Sequence, residues 1–276
     1  MIPIHNSDKT QQKEIIVNWL SELNNYDFSE PHRHDYFEFF YFIRGGGNHI
    51  IDFSEFEIKD NSVHVVAPGK VHQVNRALDS SGFVCLFELD ALKAMYEVNE
   101  FLFEHVCLDV ETLSPAYMFS QLQIPIVEAL RERMKEVLEE KDELRQLSIR
   151  SLIQSLCIEC MRSTNKQYLM QERNDYARFR KLLFQNFREY KKVREYAERL
   201  GVTEKNLNEQ VKKSCGKSAS QVIYNQITLE AKRLLLVGMS AKEVAYDLNF
   251  EDPAHFSKFF KNNTGTSPSE FRKIQA

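Results

Sequence analysis

Two periods of apolar residues divide this chain, and the changeover falls near residue 90. Before it, short apolar runs alternate with turn signals. Residues 36–43 are almost wholly aromatic and aliphatic, a composition that favours a strand. Gly45, Gly46 and Gly47 then turn the chain, and residues 49–53 read as the return strand. Further strands are expected over 56–58, 62–66 and 83–88, with turns at Asp60-Asn61 and Pro68-Gly69. Closely spaced short strands predict a small sandwich or barrel. Beyond residue 90 the period becomes helical. Ile124, Val127, Leu130, Met134, Val137 and Leu138 fall on one stripe of a helix over 124–138. A second helix is expected over 144–161, carrying Leu147, Ile149, Leu152, Ile153, Leu156, Cys157 and Cys160. The charged stretch 139–143 would join the two as a hairpin. Residues 163–174 are polar without a period and read as a linker.

The last third of the chain repeats itself. Val193, Glu195, Tyr196, Ala197, Leu200 and Gly201 recur 48 residues on as Ala241, Glu243, Val244, Ala245, Leu248 and Asn249. At an offset of 49, Leu207 matches Phe256, Val211 matches Phe260, Lys212 matches Lys261, Gly216 matches Gly265 and Ser218 matches Ser267. Each copy reads helix, tight turn, helix, Gly-x-Ser. Two helix-turn-helix units in one chain can put two helices into DNA without a dimer. In the first copy Gly201 suits a left-handed helix end and Thr203 suits an N-cap. Leu207 and Val211 face inward, leaving Lys205, Asn208, Glu209 and Lys212 on the polar face. The second copy carries stronger signals. Ser240 and Glu243 form a capping box, Asp252 is a good N-cap, and Pro253 suits the first helical position. The following helix, 254–263, turns Phe256, Phe259 and Phe260 inward and offers His255, Ser257, Lys258 and Lys261 to a groove.

Composition changes the picture through its distribution. The 276 residues are 43% apolar, with 20 Phe and 11 Tyr, enough for well-packed cores in one or two domains. The net charge of −4 hides an asymmetry. Residues 173–276 hold 20 Lys/Arg against 12 Asp/Glu, a net of +8, which leaves −12 on the remainder. A basic third on an acidic remainder implies a nucleic-acid-binding module carried by something else. No apolar run reaches the roughly 20 residues that span a bilayer, and the first residues lack the apolar stretch of a secretory signal. A cytoplasmic location without membrane contact is expected. Five irregularly spaced cysteines suit reduced thiols. Cys157-x2-Cys160 has no second pair to complete a zinc site, so both read as small buried apolar residues.

The run Asn249-Phe-Glu-Asp252-Pro253-Ala254-His255-Phe256-Ser257-Lys258-Phe-Phe-Lys261, followed by Gly265-Thr-Ser-Pro268-Ser-Glu-Phe-Arg272, resembles the C-terminal signature of AraC/XylS-type transcription regulators. The resemblance spans residues 175–274. It implies two helix-turn-helix subdomains joined by a linker helix, here 226–237, whose recognition helices enter successive major-groove segments of one DNA face. The chain departs from that pattern at Asn249, where Gly is usual, and at Glu209, where relatives often carry Arg. Asn also tolerates positive φ. A carboxylate accepts from cytosine N4 but repels phosphates. Double-stranded DNA is the expected partner. Lys212, Lys261, Lys213 and Lys217 are expected on phosphates, and Lys205, Asn208, Glu209, Ala254, His255, Ser257 and Lys258 at base edges.

In the first half, His32-x-His34-x3-Glu38-x6-Gly45 and Pro68-Gly69-x2-His72 resemble the two cupin motifs. In cupin enzymes those positions hold Fe, Mn or Zn. Sensor domains of AraC-type regulators keep the barrel and often keep parts of the motif without a metal. No cofactor is therefore expected, and His32, His34, Glu38 and His72 stand as the metal candidates if one is held. The same four residues with Arg44 are the candidates for binding an effector, since a barrel of about 8 strands holds one small ligand. Along 36–42, alternate side chains face inward: Tyr36, Glu38, Phe40 and Phe42, or their neighbours. The resemblance also implies that the helical hairpin dimerises.

The expected fold is mixed: an N-terminal cupin-like β-barrel plus helical hairpin over 1–165, a linker over 166–174, and an all-α double helix-turn-helix domain over 175–276. The expected function is a sequence-specific transcription regulator, not an enzyme. A small-molecule effector of unknown class would control it, and RNA polymerase would be a partner if it activates. The alternative is a metal-dependent cupin enzyme fused to a DNA-binding domain, which needs His32, His34, Glu38 and His72 intact. A constitutive DNA-binding protein with a purely dimerising barrel is a third.

Overall fold

The computed structural model describes residues 4–5, 15–21, 30–88, 91, 114–163 and 175–275. The expected linker, 166–174, lies outside them. The chain divides into two compact units, one spanning Pro3–Met170 and one made mainly of Gln171–Ala276.

The first unit contains β1 (Ile4–His5), β2 (Ile16–Trp19), β3 (His32–His34), β4 (Phe37–Arg44), β5 (Gly47–Ile51), β6 (Ser54–Glu57), β7 (Ser62–Val66), β8 (Val71–Arg76), β9 (Ser81–Phe87) and β10 (Ala116–Met118). They form two five-stranded sheets, ordered β1-β3-β8-β5-β6 and β10-β7-β4-β9-β2. The barrel thus takes the form of two sheets packed face to face. Gly47 makes the crossing from β4 to β5 feasible: its φ is +89°, and a Cβ there would lie 2.0 Å from Asn75 O. β3 and β8 are strands beyond those expected from the apolar pattern. Both carry polar residues, including three histidines between them, where an apolar stripe would be the usual signal.

Residues 37–42 of β4 are buried throughout, because each face meets a different partner. On one face Phe40 and Phe42 enter a core between the sheets with Leu20, Ile51, Ile58, Val66, Val74 and Val84. On the other, Tyr41 meets Phe83 and Phe119 edge-on. This second face is covered by α1 (Ile124–Glu139) and α2 (Arg145–Ser163), which match the expected hairpin within two residues at every end. Val127, Met134 and Val137 are buried on α1, and Ile149, Ile153, Leu156, Cys157 and Cys160 on α2. Leu147, expected in that stripe, is instead 55% exposed. Burial pushes the Cys157 thiol up to about 12 and raises Cys85 and Cys160 as well, so these are packing residues with little thiolate character.

The second unit comprises α3 (Asp175–Asn186), α4 (Val193–Leu200), α5 (Glu204–Cys215), α6 (Ala219–Leu236), α7 (Ala241–Asp247), α8 (Pro253–Thr264) and α9 (Pro268–Gln275). One hydrophobic cluster runs through all of it, from Phe179 through Tyr196, Leu207, Ile227 and Val244 to Phe256, Phe260 and Phe271. The two copies are therefore halves of one core. α6 begins seven residues before the expected 226, because Ser218 caps it: Ser218 Oγ accepts from Gln221 N, and Gln221 Oε1 accepts from Ser218 N. Ser267 and Glu270 do the same for α9. The repeated Gly-x-Ser is thus a stop followed by a start. Gly216 and Gly265 end α5 and α8 in left-handed conformations, and the serine caps the next helix.

Candidate functional site

In each copy two helices meet at a left-handed residue. Gly201 has φ 70° and Asn249 has φ 55°, so Asn249 adopts the conformation that Gly supplies in the first copy. The caps are less unequal than the sequence suggests. In the second copy Ser240 Oγ accepts from Glu243 N, and Asp252 Oδ1 accepts from both Ala254 N and His255 N at 2.8 Å. In the first, Thr203 Oγ1 accepts from Asn206 N, and the Glu195 carboxylate accepts from Lys191 N and Lys192 N. Polar bridges tie the copies together. Lys191 donates to Asn249 O at 2.9 Å, and Arg188 reaches both the buried Glu230 on α6 and Asp247 on α7.

With the inner faces fixed, the outer faces of α5 and α8 are set. On α8, Ala254, His255, Lys258 and Lys261 are exposed, His255 rests edge-on against Phe250, and the helix carries no acid. Ser257 is half-buried, and its hydroxyl donates to Pro253 O. On α5, Lys205, Glu209 and Lys212 are exposed, with Lys205 and Glu209 paired at 4.0 Å. Asn208 is occupied: its Nδ2 donates to Glu204 O, and its Oδ1 accepts from Ala219 N at the start of α6. Asn206, which the repeat aligns with His255, is exposed on the same helix.

The second site lies between the sheets. His32 and His34 come from β3, His49 from β5 and His72 from β8, all in one sheet; Glu38 on β4 and His64 on β7 face them from the other. All six are at most 2% exposed. Glu38 Oε2 lies 3.4 Å from His34 Nε2 and 3.3 Å from His72 Nε2, and those nitrogens are 3.2 Å apart. The chain continues from His72 Nδ1 to His49 Nε2 at 3.1 Å, and from His49 Nδ1 to His64 Nδ1 at 3.2 Å. Phe40 and Phe42 pack edge-on against His49 and His64. Burial lowers His64 to about 4 and holds His49 well below the usual imidazole range, so both are neutral.

Of the residues expected at an effector site, the structure brings together His32, His34, Glu38 and His72. Arg44 lies apart, at the far end of β4, exposed and paired with Asp79 at 2.7 Å. The inward parity of β4 is that of Glu38, Phe40 and Phe42. The four clustered residues also fit a metal by their chemistry. His32, Glu38 and His72 offer donor atoms within 4.8 Å of one another. Neither oxygen of Glu38 accepts a hydrogen bond among the described residues. Such a metal, when bound, would bring Lewis acidity and a fixed charge to the interior.

Two family models match the chain: an AraC-like ligand binding domain over residues 21–157 and a helix-turn-helix domain over residues 196–274. The chain belongs to the AraC family of transcription regulators. It is a DNA-binding regulator whose N-terminal unit is a ligand-binding domain. The HTH-type transcriptional regulator YfiF of Bacillus subtilis (strain 168) is 22% identical over 276 residues, covering 96% of this chain and 86% of that one. Among solved structures, ToxT from Vibrio cholerae O395 aligns over 96% of this chain and 99% of its own, with a TM-score of 0.46 and 12% identity. The C-terminal domain of AraT from Geobacillus stearothermophilus aligns over 38% of this chain and 88% of its own, with a TM-score of 0.35 and 23% identity. Among the described residues of this AraC-family chain, no helix is long and apolar enough to cross a membrane.

Sequence reasoning missed His49, His64 and Asn206. The histidines sit on alternating strands outside any spaced motif, and only the sheet pairing brings them to His72. Asn206 carried a signal, the repeat offset that aligns it with His255.

Proposed function

We propose that this regulator reads base edges mainly through α8 and uses α5 to set its position on the duplex. The observation that carries this reading is the contrast in outer faces: Ala254, His255, Lys258 and Lys261 carry no acid, whereas Lys205 is paired with Glu209. His255 and Lys258 take base edges, with Ala254 against a thymine methyl and Ser257 at the margin. Lys212, Lys213, Lys217 and Lys261 take phosphates. On α5, Lys205, Asn206 and Glu209 approach bases, and the hydrogen bonds of Asn208 favour a supporting role over a reading one.

The domains in this reading are a sensor over 1–165, a linker over 166–174 and a DNA-binding domain over 175–276. The protein acts in the cytoplasm as a homodimer through α1 and α2, and engages RNA polymerase where it activates. The buried cluster on β3, β4 and β8 is the effector site, and its output is altered DNA affinity rather than turnover. Binding-site selection on the full chain tests the reading. It predicts two half-sites about one helical turn apart. Lys212→Ala and Lys261→Ala should each flatten the salt dependence by about one unit of slope without changing base preference. A single selected half-site, or altered base preference in either variant, would overturn it.

A further inference from the structure

The repeat reaches further back than its motif, and it isolates a set of charges that duplication does not account for. At the offset of 48 residues, Phe179, Leu183 and Phe187 correspond to Ile227, Ala231 and Leu235, and all six are buried. α3 is therefore the first copy's counterpart of α6. Between these shared apolar positions the copies part. Leu182 corresponds to Glu230, Arg188 to Leu236 and Lys191 to Met239. Leu182, Leu236 and Met239 pack against the common core. Glu230, Arg188 and Lys191 instead reach from one copy to the other.

Arg188 and Lys191 lie in the loop 187–192, which leads from α3 into α4. The Arg188 guanidinium donates to two elements of the second copy: to Glu230 Oε1 on α6 at 2.8 Å and to Asp247 Oδ2 on α7 at 3.3 Å. Glu230 is buried, with Arg233 also at 3.4 Å. The Lys191 ammonium donates to Arg188 O at 2.8 Å within the loop and to Asn249 O at 2.9 Å across the copies. It lies 5.3 Å from the centre of the Phe250 ring. That ring in turn packs against His255, Phe256 and Phe259 of α8. The loop is equally fixed to its own copy. Lys191 N and Lys192 N donate to the Glu195 carboxylate on α4, and the Tyr196 hydroxyl donates to Tyr190 O at 2.7 Å.

Apolar contacts are non-directional, so a shared core by itself lets two units roll on one another at little cost. Charge-assisted hydrogen bonds between anchored partners have a defined geometry. Here they hold the second copy at Glu230, Asp247 and Asn249, and three points fix a rotation as well as a distance. The rotation matters on DNA. One base pair moves a half-site by about 3.4 Å along the duplex and turns it by about 35°.

We propose that Arg188 and Lys191 are positioning residues that set the angle between α5 and α8, and thereby the separation of half-sites that this regulator accepts. This deepens the reading of two half-sites about one helical turn apart and rests on it for its consequence on DNA.

The test uses the full chain and three duplexes: both selected half-sites at the preferred separation, and the same with one base pair added or removed. The parent should bind the two altered duplexes roughly 10- to 100-fold more weakly. Arg188→Leu and Lys191→Met replace each residue with the one at the corresponding position of the second copy. Together they should bring that penalty down to about 3-fold, with base preference inside each half-site unchanged. Arg188→Lys keeps the charge without the planar fork and should restore only part of the penalty. Lys191→Met alone leaves Glu230 its two guanidinium partners, so it keeps the test open if Arg188→Leu melts early. A full parental penalty in folded variants, or an equal loss of affinity on all three duplexes, would overturn the assignment. Amide residual dipolar couplings of the DNA-free chain read the angle itself. In the parent, α4 and α5 should share one alignment with α7 and α8; in the double variant they should not. A shared alignment kept in the double variant overturns the assignment whatever the DNA result. A parent without a spacing preference, joined to couplings that diverge in the double variant, removes the reading of two half-sites and leaves the angle-setting role standing.

Discussion

At the positions where α5 shows Lys205 and Glu209, α8 shows Ala254 and Lys258, and the rest of α8 holds no acid. Beneath these surfaces the copies agree residue by residue. Leu207 and Val211 occupy the places of Phe256 and Phe260, fully buried in the same cluster. The turns agree too, Gly201 and Asn249 both being left-handed. The difference teaches that the fold constrains the inner faces of a duplicated unit and leaves the outer faces to diverge. One duplication can then yield a reader and a positioner from the same skeleton.

The strongest way to break this comparison is through the shared core. Phe256→Ala should cost about 3–5 kcal/mol and should destabilise both copies together, since Phe256 and Leu207 belong to one cluster. Hydrogen exchange by segment checks this. If amides of α4 and α5 keep full protection while α7 and α8 exchange, the copies are separate folding units and the shared-core view falls.

A smaller effect is expected at the caps. Asp252→Ala removes an acceptor of two backbone N–H groups, and Thr203→Ala an acceptor of one. Both should fall within about 0.5–2 kcal/mol, with Asp252→Ala the larger. Urea denaturation would show the ranking, and equal losses would mean that α8 gains nothing from its second cap bond. The smallest effect sharpens the electrostatic side. Glu209→Lys should raise non-specific DNA affinity and steepen its salt dependence by about one unit of slope. A titration series in salt that leaves the slope unmoved would place Glu209 away from the phosphates.

Much of the C-terminal unit was legible in the sequence because its signals are local. Ser240 with Glu243, Asp252 before Pro253, and Gly201 after Leu200 each announce a helix end within a few residues. The start of α6 departs from the expected 226, although Ser218 and Gln221 form the same kind of box, because the stop of one helix at Gly216 and the start of the next at Ser218 share three residues. The first unit was legible only in part. The aromatic run of β4 declared a strand, but the parity that turns Glu38 inward depends on which sheet faces it. β3 and β8 carry His32, His34 and His72 in place of an apolar stripe, and their register, His32 opposite His72, is a long-range fact. His49 and His64 joined the cluster only once β5 lay beside β8 and β7 lay in the facing sheet. Polar residues that gather through tertiary pairing leave no periodic trace in the chain.

The central claim is that α8 reads and α5 positions. The direct measurement is binding-site selection run side by side on the parent chain, on His255→Ala with Lys258→Ala, and on Lys205→Ala with Asn206→Ala. The account predicts that the α8 pair relaxes preference at one or two base pairs by about 1–3 kcal/mol each, while the α5 pair leaves the selected sequence nearly unchanged. A selected sequence that survives the α8 changes and degrades with the α5 changes would contradict it.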